Sequence, residues 1–148
     1  MATTLTNEQM LALSKRHVEQ EMKGSVEGTM ATVCPDPYYE LYPMGFRIVG
    51  RAAVTEMYRR MLVAPIGLQP IQWATRKFSV GPEGIFSEDE AQIRDTDGTV
   101  RRVAAVSVYS FEGELLKGER VYLNDAGAAM TQKALGPDFT KISGVDKI

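Results

Sequence analysis

Apolar positions along the chain fall first at helical and then at strand spacing. Met10, Leu13, His17 and Glu21 recur three and four residues apart, with Leu11, Val18 and Met22 alongside, so residues 6–24 predict an amphipathic helix. Thr6-x-x-Gln9 supplies a capping box, Leu5 and Met10 a hydrophobic staple, and Gly24 a stop. Ser25 caps a shorter second helix in which Val26, Met30 and Val33 repeat. Cys34-Pro35-Asp36-Pro37 ends it, because proline lacks a donor and restricts its predecessor. YYELYP (38–43) reads as a short aromatic strand, Met44-Gly45 as a turn, and residues 46–49 as a second short strand. A third helix begins after Gly50 with Val54, Met57, Tyr58 and Met61 on one face, and is over before Pro65. Residues 64–70 read as a loop.

From there the period changes to two. Residues 71–80 alternate as a strand, Gly81-Pro82-Glu83-Gly84 turns the chain, and residues 85–94 read as a more acidic strand. Asp95-Thr96-Asp97-Gly98 is a hairpin turn, its Asp-Gly pair tolerating positive φ. It leads into VRRVAAVSVYSF, a Glu112-Gly113-Glu114 turn and LLKGERVYLN, an antiparallel hairpin. Both alternating faces are apolar between Val103 and Tyr109, so this strand needs cover on two sides: helices or a pocket within, another subunit outside. After Asn124 the chain turns Gly- and Ala-rich and then polar, which predicts a body over residues 1–125 and, over 126–148, a C-terminal extension or an extended or partly mobile tail. Helices first and strands after give the α+β class, a curved antiparallel sheet wrapped around three N-terminal helices with an apolar cavity open at one end.

Composition removes several classes. At 148 residues with 44% apolar and 24% charged side chains, the chain can bury roughly 70% of its unfolded surface. A formal charge of −2 gives no basic excess for nucleic acid. No run approaches ~18 apolar residues, so no membrane span is expected, and no secretory signal is visible. One cysteine excludes an internal disulfide framework and fits the cytoplasm, with Cys34 read as inert packing. One histidine and one cysteine cannot assemble the four Cys/His ligands of structural zinc, so no metal is expected.

RHVEQEMKGSVEGTMATVCPD, YPMGFRIVGRAAVTEMYRRM and GELLKGERVYLND, in that order, resemble the NTF2-like superfamily in its SnoaL-like and ketosteroid-isomerase-like branch, over most of residues 10–125. The resemblance implies a cone-shaped α+β barrel, a homodimer through the outer sheet face, and acid–base chemistry without a cofactor, of isomerase, dehydratase (lyase) or cyclase type. Other members of the superfamily only bind proteins or small ligands. Residue by residue the match departs from the ketosteroid isomerases. His17 stands where their tyrosine oxyanion donor lies, Leu41 and Tyr42 near their aspartate base, and Ser107 near their second aspartate. Asp125 is nearest to the acidic residue of SnoaL-type cyclases.

Four residues are the catalytic candidates. His17, the single histidine, is competent as general acid or base, against a reading as a hydrogen-bonded core residue. Glu119 shares parity with Val121 and Leu123 and faces inward if that set does; in the opposite register Arg120 and Tyr122 face in. Asp125 is the alternative acidic partner, and Tyr42 the donor to a substrate oxygen. Leu13, Met57, Met61, Trp73, Ala105, Ser107, Tyr109 and Val121 are the expected pocket lining for a small apolar oxygenated molecule. Two functions remain: a proton-transfer enzyme, or a ligand-binding or dimerisation module on the same cone.

Overall fold

The structure, a computed structural model, describes residues 2–63, 70–82, 84–95 and 97–148, the side chains of 70–75 excepted. Helix α1 (Asn7–Met22) starts on the expected capping box: the Gln9 amide donates to Thr6 Oγ1 at 3.2 Å and the Thr6 amide to Gln9 Oε1 at 2.8 Å. Helix α2 (Val26–Met30) is capped by Ser25, and α3 (Arg51–Leu62) follows Gly50. Between them lie β1 (Tyr38–Tyr42) and β2 (Phe46–Val49), and the long strands follow: β3 (Pro70–Gly81), β4 (Gly84–Arg94), β5 (Val100–Glu112) and β6 (Leu115–Leu123). The β5–β6 hairpin is thus the one expected, with Gly113 at positive φ in its turn.

With a last short strand, β7 (Val145–Lys147), the strands form one curved, unclosed sheet in the order β3-β4-β5-β6-β1-β2-β7, antiparallel except for β1 beside β6. That parallel pair closes on Gly118, where a Cβ would run into the Tyr38 carbonyl oxygen. The α+β class and the sheet around three N-terminal helices are therefore present, as an open cone rather than a closed barrel.

Residues 125–148 are not an extended tail. They form α4 (Asp125–Leu135), a 3-10 turn (Phe139–Lys141) and β7 (Val145–Lys147), which pairs with β2. Asn124 caps α4 by accepting from the Gly127 amide at 3.0 Å. Leu135 and Phe139 are fully buried, and Phe139 meets Phe46 edge-on. Gly127 lets α4 sit close against Val103 and Leu123 on the sheet. Helix α1 crosses β3, β4 and β6 on the concave side, and α4 lies against β5 and β6. Among the described residues no helix is long and apolar enough to cross a membrane.

Candidate active site

Sheet register decides which side chains meet inside the cone. Tyr109 pairs with Glu119, Ser107 with Val121 and Ala105 with Leu123, and these partners share the concave face. Glu119 is 6% exposed while Arg120 is on the outside, so the inward parity is that of Glu119, Val121 and Leu123. Strand β4 adds Ser87, Asp89, Ala91 and Ile93 to the same face. Together with α1, α3 and α4 they enclose a cavity of about 170 Å³ bounded by Glu21, Tyr58, Met61, Tyr109, Glu119 and Met130 among others.

His17 sits behind this wall with no exposed surface. Its Nδ1 is 2.6 Å from Thr32 Oγ1, and that hydroxyl donates its one proton to the Thr29 carbonyl at 2.6 Å. Thr32 must therefore accept from His17, which puts a proton on Nδ1 and aims Nε2 at the cavity side. Around Nε2 stand Tyr58 Oη at 3.0 Å, Glu119 Oε1 at 3.1 Å and Glu21 Oε1 at 3.3 Å. Tyr58 donates onward to Tyr39 Oη at 3.2 Å. Helix geometry supplies Glu21, one turn after His17 on α1.

Burial alone would lower the His17 pKa, but the carboxylates of Glu21 and Glu119 outweigh it and push it up to about 10. Burial raises Glu119, against the opposing pull of His17. Tyr58 and Tyr109 are held well above their ordinary value by burial and by the nearby carboxylates, so both stay protonated donors. At the far wall Arg76 Nε lies 2.5 Å from Asp89 Oδ1, whose other oxygen accepts from Ser87 at 2.9 Å. Burial raises Asp89 despite that pairing.

Of the four catalytic candidates the fold brings together two, His17 and Glu119. Tyr42 is on the outer face: its hydroxyl donates to Glu40 Oε2 at 3.0 Å and its ring stacks on Tyr122 at 5.0 Å. The reason is parity, since Tyr39 and Leu41 are the buried residues of β1. Asp125 is exposed in the first turn of α4, where its charge meets the helix N-terminus. Met61, Ala105, Ser107, Tyr109 and Val121 border the cavity. Leu13 and Met57 instead pack in the core beside it, and the Trp73 side chain lies outside the described residues. Sequence reasoning missed Tyr58, Thr32, Arg76 and Asp89. In the sequence Tyr58 falls on the apolar face of α3, and Asp89 is legible only as an inward position of an acidic strand.

No protein-family model and no curated protein matches the sequence. Solved structures do. An NTF2-like protein from Burkholderia xenovorans LB400 superposes with a TM-score of 0.69 at 14% identity, covering 86% of this chain and 98% of that one. A protein from Bacillus subtilis provisionally described as an isomerase gives 0.70 at 15% identity, over 82% and 91%. TerC, co-crystallised with polyporic acid, gives 0.66 at 13% identity, over 82% and 95%. The fold of this chain is the NTF2-like fold, and at these identities the likeness extends to the fold alone.

Proposed function

We propose that the chain is an acid–base enzyme acting on a small apolar, oxygenated molecule inside the cone, by isomerisation, dehydration or cyclisation. The observation that carries this reading is the buried His17–Glu119 pair, 3.1 Å apart, at the wall of an otherwise largely apolar cavity. His17 moves the proton through Nε2, and Glu119 is its acidic partner. Tyr58 or Tyr109, rather than Tyr42, donates to the substrate oxygen, since both line the cavity. The cavity of about 170 Å³ suits a ring-sized molecule; an apolar cavity of roughly 150 Å³ holds benzene. Provisional isomerase naming of one structural neighbour and the co-crystallisation of another with polyporic acid agree with this class.

The test is a panel of cyclic ketones and hydroxy-ketones incubated with the chain in the presence of a chelator, with products read by mass spectrometry. The wild-type chain should convert one class, and His17→Gln should lower kcat by about a hundredfold or more while binding persists. An H17Q protein turning over at the wild-type rate would refute the assignment. A second reading, a ligand binder without turnover, is favoured by the enclosure of His17 and the bonding of both its ring nitrogens. Binding of a compound that survives H17Q with no product from either protein would select it.

We further infer a homodimer through the outer sheet face. Phe86, Val106 and Tyr122 are 39%, 44% and 45% exposed on adjacent strands, apolar surface of the kind a second copy covers. A cytoplasmic setting fits the single, buried, unpaired Cys34.

A further inference from the structure

The side chains gathered at His17 Nε2 have the donor types and spacing of a cation site. We propose that His17, Glu21 and Glu119 bind one divalent first-row transition ion, with Zn²⁺ as the probe, through Nε2 and one carboxylate oxygen from each glutamate. Their ligand atoms all lie within 4.8 Å of one another, and Nε2 is 3.3 Å from Glu21 Oε1 and 3.1 Å from Glu119 Oε1. Ligands at about 2.0–2.2 Å from a shared ion stand roughly 2.8–3.6 Å apart, the shorter edges octahedral and the longer tetrahedral. Both measured edges already have that length.

Three further features agree. Thr32 holds the proton of the ring on Nδ1, the outer-shell arrangement that keeps a ligating imidazole in the correct tautomer. Charge is also unbalanced without an ion: two carboxylates face one imidazole, so even a protonated ring leaves a net −1, whereas a divalent ion on a neutral ring brings the group to zero. Most directly, Glu119 is 6% exposed and its Oε1 has no hydrogen-bond partner, although it lies 3.1 Å from Nε2 without hydrogen-bond alignment. A buried carboxylate oxygen beside an imidazole nitrogen becomes a ligand pair once the ring gives up its Nε2 proton to the incoming ion. Glu21 and Glu119 both border the cavity, which leaves positions for water or a ligand on the ion.

Two groups oppose the ion. Tyr58 Oη, 3.0 Å from Nε2, must surrender that bond, and Arg76 is a cation on the same cavity, with Asp89 at 2.5 Å to offset it. One nitrogen and two carboxylates select Zn²⁺, Mn²⁺, Fe²⁺ or Co²⁺ over Ca²⁺, which prefers more oxygen ligands, and over soft Cu(I). Proton and ion compete for the same lone pair, so a bound ion removes His17 from acid–base work. The cation site stands independently of the catalytic reading, because its occupancy is measured without substrate.

The experiment is calorimetric titration of the chelator-stripped full chain with Zn²⁺, repeated on Glu119→Gln and Glu21→Gln. One ion per chain is expected, with each substitution weakening affinity by at least about tenfold. A parallel NMR titration of the wild-type chain with Co²⁺ should broaden the ring signals of the single histidine before others. That readout does not depend on either variant folding. Absence of saturable one-to-one binding, affinity unmoved in both variants, or His17 signals indifferent to Co²⁺ would overturn the proposal.

Discussion

His17 and Tyr58 form a chain of buried hydrogen bonds whose members differ in what they support. Tyr58 Oη lies between His17 Nε2 at 3.0 Å and Tyr39 Oη at 3.2 Å, whereas Tyr39 touches the ring nitrogen only through Tyr58. Tyr58→Phe should therefore cost about 1–2 kcal/mol in urea unfolding, and Tyr39→Phe less. An equal or larger loss in Tyr39→Phe would mean that the chain is held from β1 rather than from α3. His17→Ala should cost more than either, about 3 kcal/mol, since it leaves Glu21 and Glu119 facing each other across a void. The His17–Glu119 meeting was half legible in the sequence: α1 periodicity turned His17 toward the core, while strand parity left either Glu119 or Arg120 inward until pairing with β5 chose Glu119. Tyr42 was misplaced for the same kind of reason. Its aromatic neighbours Tyr38 and Tyr39 made both faces of β1 look apolar, and only pairing with Arg47, Phe46 and β6 decides between them.

Among the elements, α4 was the one the sequence concealed. DAGAAMTQKAL carries little hydrophobic contrast, and its Ala126–Ala129 run of small residues resembles a linker. Signals were present nonetheless: Asn124 as cap, Met130 and Ala134 four apart, and Leu135-Gly136-Pro137 as a stop. What no local rule supplied is the hydrophobic docking of Leu135 and Phe139 under α3 and β2. Phe139→Ala should cost about 3–5 kcal/mol by thermal or urea unfolding, the range for a fully buried aromatic. A loss below about 1 kcal/mol would mean that the C-terminal segment is not part of the core. Charge joins the same elements. Arg60 on α3 binds Glu56 at 2.8 Å and Asp138 at 2.7 Å, and donates to the Leu135 carbonyl. Hydrogen bonds from Arg59 and Arg60 lower the Glu56 pKa to about 2. A carboxylate depressed in the folded state stabilises above its unfolded value near 4.5 and ceases to do so as pH falls through about 2. Glu56 is partly exposed, which limits the effect to about 1 kcal/mol. The stability difference between wild type and Glu56→Gln should therefore be present at pH 6 and gone near pH 2; a difference independent of pH would contradict the ion-pair account.

For the whole molecule, the order of helices and strands revealed the cone, while its closure depended on contacts far apart in sequence. The parallel β1–β6 pair, the β2–β7 pair and the α4 cap join segments that no window of the chain contains. The convex side, with Phe86, Val106 and Tyr122, should carry the dimer: sedimentation should give two copies for the wild-type chain and one for Val106→Lys with Tyr122→Glu. A wild-type monomer would remove that inference without touching the cavity. The account as a whole rests on the concave side, where His17 stands directly behind Glu21, Tyr58 and Glu119 in the wall of the space a ligand would occupy. The measurement that tests this most directly is NMR of the single histidine's ring in chelator-treated protein, with the ketone panel added compound by compound. The account predicts saturable shifts of the His17 ring signals with one class of compound, abolished by filling the cavity with Ala105→Phe. Binding that leaves those signals unmoved, or no binding by any compound, would contradict it.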